Sequence, residues 1–413
     1  MNLDPTKLAI PFYFLLIGIE LIVSIVQHIK RYRLNDTLTN INSGASMMVV
    51  TTLLRVFGIS MFVYLYDNFS FFHIPSTWYT FILCFIVDDF CYYWGHRMTH
   101  EVNLAWSSHV VHHHSEEMNF SVALRQSWFQ GIWTAPMYIP MALLGFSPTD
   151  VVIAHGFNLL YQYWVHTEMI DKLGFLEYFL VTPSHHRVHH GRNPKYIDKN
   201  HSGVFIIWDK LFGTFQKEEE RPVYGTTKPL NSWNPVWANF EHFQTIGQQL
   251  KEADGFWNKM KVLFKKPGWS AKAQAYLPFP EVERGVSAKF DTVTPPSVNY
   301  YVLLHYLINT VLTVYFLFNQ QNISWMDTFS LAAILILNFA FTGGLLEGKR
   351  PYYFLEYGRI ILSTIIAIEY LNRHGFATGL SIGIIVLALM SVVWMIFIKK
   401  YYLESKIVTT SIT

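Results

Sequence analysis

The chain has 413 residues, 51% of them hydrophobic and 17% aromatic, with only 15% charged and a formal net charge of +2. A soluble domain is about 25% charged, so the deficit excludes a large water-facing fold. The near-neutral balance excludes a nucleic-acid partner, which needs a dense basic face. Two cysteines, Cys84 and Cys91, are too few for a disulfide framework or a four-cysteine iron–sulfur cluster, so any metal here is held mainly by nitrogen.

The first apolar run, Leu8 to Val26, has the length of a transmembrane helix of roughly 20 residues, and no small-x-small cleavage site follows it. Eight further apolar spans follow at 46–66, 77–95, 128–146, 149–166, 299–318, 325–344, 352–371 and 378–398. The fourth and fifth are joined by Ser147-Pro148-Thr149, a tight helical hairpin. Loop lysines and arginines set the orientation. Lys30, Arg31 and Arg33 follow span one, Lys349 and Arg350 lie at 345–351, and Lys399, Lys400 and Lys406 lie in the tail, with Arg373 alone in its outer loop. This places the N-terminus outside and the C-terminus in the cytoplasm, with 167–298 on the cytoplasmic face. Arg55, inside span two, is expected to snorkel or to meet an acidic partner.

The stretch 200–298 differs in composition. From Phe243 to Phe264 it offers Phe243, Ile246, Leu250, Trp257, Met260 and Leu263 among lysines. This predicts an amphipathic helix, lying either on the anionic leaflet or on the protein's own cap. Four divisions result: N-terminal membrane helices (1–76), a histidine-rich catalytic domain (77–220), a cytoplasmic or interfacial segment (221–298) and a C-terminal four-span bundle (299–413). The predicted class is an all-α integral membrane protein, a multi-span helical bundle with a cytoplasmic, histidine-rich di-metal cap.

Thirteen of the 18 histidines lie between His96 and His201. They form three boxes: His96 and His100; His109, His112 and His113; His186, His189 and His190. Residues i, i+3 and i+4 share a helix face, and Pro183 is a fit start for the helix of box three. Eight imidazoles exceed the four that one tetrahedral zinc takes; they suit two metals. His166, ending span five with Gln162 one turn before it, is the expected ninth ligand. His155 is read as a core histidine bonded to a neighbour, and His114, His185 and His201 as lining residues. Metal-bound imidazoles usually donate their other nitrogen to a carboxylate or carbonyl. Asp89, seven residues before His96, is the first candidate, followed by Asp88, Glu101, Glu116, Asp198 and Asp209, each of which also reads as an interfacial cap or ion pair. Oxidation of an unactivated lipid C–H bond needs a redox metal, which zinc is not. Two irons and O₂ are the economical expectation.

Three stretches carry a family resemblance: Trp94 to Glu101 (WGHRMTHE), His112 to Glu116 with Ala123 to Ser127 (HHHSE and ALRQS), and Thr182 to Phe215 (TPSHHRVHHGRNPKYIDKNHSGVFIIWDKLFGTF), joined by Asn158 to Gln162 and His166-Thr167-Glu168. Over about 85–215 the chain resembles the fatty acid hydroxylase (sterol desaturase) superfamily of membrane di-iron enzymes, and within it the alkylglycerol monooxygenases. The resemblance implies tetrahydrobiopterin as reductant and hydroxylation of the ether-linked carbon of an alkylglycerol, whose hemiacetal collapses to a fatty aldehyde. It also implies that Glu101 helps to place the pterin; Asp89 and Gln162, placed on the faces of His96 and His166, are the further candidate catalytic residues. His201 departs from the family pattern, where a tyrosine is expected, and His114 adds a third consecutive imidazole to box two. The alternative is a sister hydroxylase or desaturase of a sterol, sphingolipid or fatty acid, fed by a cytochrome or ferredoxin. A metal transporter is disfavoured, because its ligands would line a path across the membrane. The endoplasmic reticulum and a bacterial inner membrane both fit; oligomeric state and head group are not encoded.

Overall fold

The computed structural model describes residues 9–320, 322–404 and 409–412. The side chain of Arg55, and Lys406, lie outside what is described. The fold is helical throughout, with only two small two-stranded ribbons among the described residues. Helix α1 spans Ile10–Val26 and turns Ile17, Glu20 and Ser24 inward while Phe12, Leu15 and Ile22 stay exposed. Its Glu20 carboxylate accepts the Phe120 N–H at 2.8 Å and the Thr167 hydroxyl at 2.5 Å. A charge inside an apolar helix thus fastens that helix to the histidine-rich domain.

Helix α2, Leu34–Phe69, is 36 residues long, about 54 Å at 1.5 Å per residue. Hydropathy located only 46–66, because the first third is polar and buried: Asn35, Asp36, Thr39, Asn40, Asn42 and Ser43 are all enclosed. Helix α3, Trp78–Glu101, starts from a Thr77/Thr80 capping box. The expected span 128–146 is not one helix. It breaks into Gln130–Thr134, a 3-10 turn at Ala135–Tyr138 and Ile139–Leu144, because Pro136 and Pro140 each lack the N–H a helix interior requires. Gly145 ends it at φ +90, and the hairpin continues into α5, Pro148–Tyr163. The intervening α4, Val110–His113, is a single turn.

Four long helices close the chain: Pro296–Asn319, Trp325–Leu346, Arg350–Arg373 and Thr378–Glu404. Among the described residues three helices are long and apolar enough to cross a membrane, Pro296–Asn319, Trp325–Leu346 and Thr378–Leu403; Ile10–Val26 is apolar but shorter. Helix α3 misses that standard because it carries the buried Asp88 and Asp89, and α5 because it is only 16 residues long. The bundle joins the rest along α2, where the Asn42 amide donates to Thr342 at 3.2 Å, and through Trp233, whose N–H donates to Glu347 at 2.7 Å. The expected amphipathic helix is two helices, Glu241–Glu252 and Phe256–Phe264. Their inner faces, Ile246 and Val262, pack with Trp269 on the protein's own cap, while Phe256 and Trp257 point outward.

Candidate metal centre

The three boxes come from α3, from His109 with α4, and from α6, Pro183–His189, which begins at the proline. Together with His166 they form two adjacent groups. His96, His100, His109, His113 and His189 make one, and His112, His166, His186 and His190 the other; within each group the ligand atoms lie within 4.8 Å of one another. All nine rings are buried. The boxes do not map one to one onto the groups. A helix advances about 100° per residue, so the i, i+4 pairs His109/His113 and His186/His190 stay together, while His112 and His189 turn to the other group. The expectation that each box points one way is corrected by that rotation.

The orientation of the rings comes mostly from backbone. Nδ1 of His96 donates to the His201 carbonyl (2.8 Å), that of His112 to Arg125 (2.8 Å), that of His166 to Gln162 (2.8 Å) and that of His189 to Lys199 (3.0 Å). A proton held on Nδ1 leaves a lone pair on Nε2. In the second group the Nε2 atoms of His112 and His166 then face each other at 3.2 Å, a repulsive contact unless a cation lies between them. In the first group, Nε2 of His100 and of His189 are buried with no partner. This donor set fits metal: neutral imidazoles, convergent and unsatisfied. Burial keeps them neutral. Desolvation pushes His112 down to about 4 and His189 to about 3, and holds His109, His113, His186 and His190 well below the usual imidazole value, with mutual repulsion among the rings adding to it.

The expected carboxylate partners do other work. Asp89 does not reach His96. Its oxygens accept the N–H groups of Val204 (2.8 Å) and Phe205 (2.9 Å), the Trp208 indole (3.0 Å) and the Asn158 amide (3.0 Å). Gly203 lies so close to this knot that a Cβ would stand 2.5 Å from Asn158 Oδ1 and 2.8 Å from Asp89 Oδ1. Gln162 donates its amide to Asn158 at 2.7 Å and holds His166 by its carbonyl, not its side chain. Glu101 pairs with Arg97 (3.2 Å) and Lys266 (3.0 Å) at the rim of the cap, and Asp198 lies 3.8 Å from His100 Nδ1. Asp209 accepts the His201 and Ser202 N–H groups at 2.8 Å each, fixing the loop whose carbonyl orients His96. His155 sits between Asp88 (3.3 Å) and the Tyr138 hydroxyl (3.2 Å), away from both groups. His185 contacts the Leu180 carbonyl. His201 is enclosed 5.0 Å from the His100 ring with both nitrogens unpartnered, and His114 lines a cavity with Asp36, Glu116, Arg125 and Trp233.

Sequence reasoning missed Arg125. Its guanidinium, fully buried, donates to the Val111 carbonyl at 2.7 Å and to Asn40 at 3.1 Å, while its own carbonyl holds His112. Asn40 in turn bonds Asp36 (2.9 Å) and Ser121 (3.1 Å). The polar first third of α2 therefore braces box two. Arg187, inside box three, makes a bidentate pair with buried Glu218 at 2.9 and 2.7 Å. The available signal was an arginine within two of the motifs, Arg125 in the ALRQS stretch and Arg187 directly after His186.

Helical architecture with membrane-length apolar helices, and nine buried imidazoles in two convergent groups, define a membrane-associated oxidoreductase of the fatty acid hydroxylase type; the fatty acid hydroxylase family model matches residues 81–214. The chain is 46% identical over 272 residues to alkylglycerol monooxygenase of Homo sapiens, covering 64% of this chain and 60% of that protein. It is 38% identical to that of Xenopus tropicalis (84% of this chain, 78% of the relative) and 37% identical to that of Danio rerio (89% and 82%). The chain belongs to the alkylglycerol monooxygenase family. No solved structure matches it.

Proposed function

We propose that the chain is a di-iron monooxygenase that hydroxylates and cleaves the ether bond of alkylglycerol lipids, releasing a fatty aldehyde. The observation that supports it best is the pair of histidine groups with five and four inward nitrogens, in a chain of this family. Two irons bound there would supply activation of O₂, and a tetrahydropterin the two electrons that take the second oxygen atom to water. The residues themselves do the rest. Backbone carbonyls of Arg125, Gln162, Lys199 and His201 hold four of the rings in one tautomer. Burial keeps the imidazoles unprotonated and free to ligate. Glu101, held between Arg97 and Lys266 beside box one, is the carboxylate we assign to placing the pterin. We further propose that the centre opens toward the cytoplasm, in the endoplasmic reticulum or a bacterial inner membrane, and draws its lipid from the bilayer.

The test is direct. Membranes carrying the iron-loaded protein are incubated with an alkylglycerol, O₂ and tetrahydrobiopterin, and aldehyde is measured. Aldehyde formation that depends on all three supports the reading. No aldehyde, together with hydroxylation of a sterol, sphingolipid or fatty acid, would move the chain to a sister activity; omitting pterin and adding a cytochrome or ferredoxin donor separates the two reductant classes.

A further inference from the structure

Two segments that hydropathy assigns to the cytoplasm sit elsewhere in the fold. Residues 174–180 and 204–212 are laced together. The Val181 N–H donates to the Val204 carbonyl at 2.8 Å, the Ile206 N–H to the Phe179 carbonyl at 3.0 Å, and Leu180 bridges Phe205. Their outward side chains are apolar and bare: Phe175 is 72% exposed, Tyr178 66% and Leu211 66%. An exposed apolar cluster of this kind marks an interaction surface.

Its height along α3 is what identifies the partner. The Phe205 ring lies 6.1 Å from Phe85, Trp208 5.2 Å from Phe90, and Phe212 5.0 Å from Trp94. These contacts run along the middle of the 24-residue α3. At 1.5 Å per residue, Phe85 is about 10 Å from the start of the helix and Trp94 about 10 Å from its end. Toward its start α3 itself shows an exposed apolar stripe, Tyr79, Ile82, Leu83 and Ile86, which reaches the level of the Phe85 contact. Asp89 sets this height, since its carboxylate takes the Val204 and Phe205 N–H groups and the Trp208 indole. The cation on the lip, Lys210, is turned onto protein: its ammonium donates to the Tyr178 carbonyl at 2.9 Å and lies 5.5 Å over the Tyr178 ring. Pairing with a backbone carbonyl is one way a cation is accommodated at membrane depth.

We propose that residues 174–180 and 204–212 form a lip inserted into the acyl region of the bilayer. The chain leaving the lip at Val181 enters α6, the helix of box three, two residues later at Pro183. Ile206 of the lip and Val181 are buried together with Val165, the residue before His166. The lip is therefore tied through this cluster to the segment that carries His166 of the second histidine group. The inference rests on the position of the segments, not on the identity of metal or substrate.

Spin labels at Leu211→Cys and Phe175→Cys, in full-length protein in phosphatidylcholine nanodiscs, report depth from collision with O₂ against a water-soluble nickel chelate; a label at exposed Glu281→Cys is the reference. Cys84 and Cys91 are buried and are replaced by alanine if they label. The expected result is a several-fold higher ratio of O₂ to nickel collision at 175 and 211 than at 281. A ratio equal to that at 281 means water covers the lip, and protection from both agents means another protein surface does; either overturns the inference. Should the variants misfold, wild-type protein answers by itself. A membrane-impermeant amine reagent should modify Lys272 many-fold faster than Lys210 in nanodiscs, and equal rates would overturn the inference.

Discussion

Two buried polar clusters in this molecule look alike in composition and differ in what they leave unsatisfied. In the C-terminal bundle, Tyr301 and Arg359 both donate to Glu356 at 2.5 Å, and Arg359 donates to Asn338 at 2.6 Å. His305 there has a partner on each nitrogen, Ser391 at 3.2 Å and Arg359 at 3.3 Å. Apart from one Asn309 amide nitrogen, this network closes on itself. In the histidine cap, by contrast, the outer nitrogens of His96, His112, His166 and His189 donate to backbone carbonyls and leave their inner nitrogens as convergent lone pairs. A closed network holds helices together; an open, convergent one is built to receive a cation. The bundle histidine is therefore structural, and the nine convergent cap histidines are placed to hold metal, although both kinds sit in apolar surroundings.

Substitutions can break this contrast, and the largest effect is expected at the cap. His189→Ala should lower iron content and drop activity by more than about 100-fold, while the protein still inserts and folds. Normal iron occupancy, measured by elemental analysis of the purified variant, would remove His189 from the ligand set. In the bundle, Glu356→Gln leaves the Arg359 guanidinium buried without its countercharge, at a cost of about 3–5 kcal/mol. Thermal unfolding should register that loss, with metal content per folded chain unchanged; a fall in metal would show that the two clusters are coupled. Arg125→Lys sharpens the comparison from the other side. It removes the fork that holds Val111 and Asn40 around the His112 carbonyl contact, so metal affinity of the four-histidine group should fall about 10- to 100-fold, with the five-histidine group retained. Metal titration followed by spectroscopy distinguishes loss at one group from loss at both.

The smallest effect is on pH. Folded His112 and His189 take up protons only near about 4 and 3, whereas an unfolded imidazole does so near 6.5. Between these values the unfolded chain binds more protons, so stability is fully present above about 6.5 and is lost as pH falls toward 4. Chelator-treated protein should melt at a lower temperature at pH 5 than at pH 7.5, and an unchanged midpoint would argue against buried neutral rings.

The site was legible in the sequence because box spacing is local: His96/His100 and His186/His190 repeat at helical intervals, and those intervals survive folding. The partition into groups of five and four was less so, since it depends on 100° of rotation between His112 and His113. What holds the rings could not be read at all, because backbone carbonyls carry no sequence signature; Asp89 was assigned to His96 on shared helix face, yet it clamps residues 204–208. The fold was legible where apolarity was unbroken, as in Trp325–Leu346, and illegible where polar residues were enclosed by other helices, as in the first third of α2. Proline broke the span at 128–146, and hydropathy weighs proline too lightly to show that.

Metal content per chain tests the central claim most directly. Purified protein, quantified by amino-acid analysis and by inductively coupled plasma mass spectrometry, should hold two irons per chain. One metal or none per chain, in protein that is catalytically active, would contradict the two-site reading of these nine histidines.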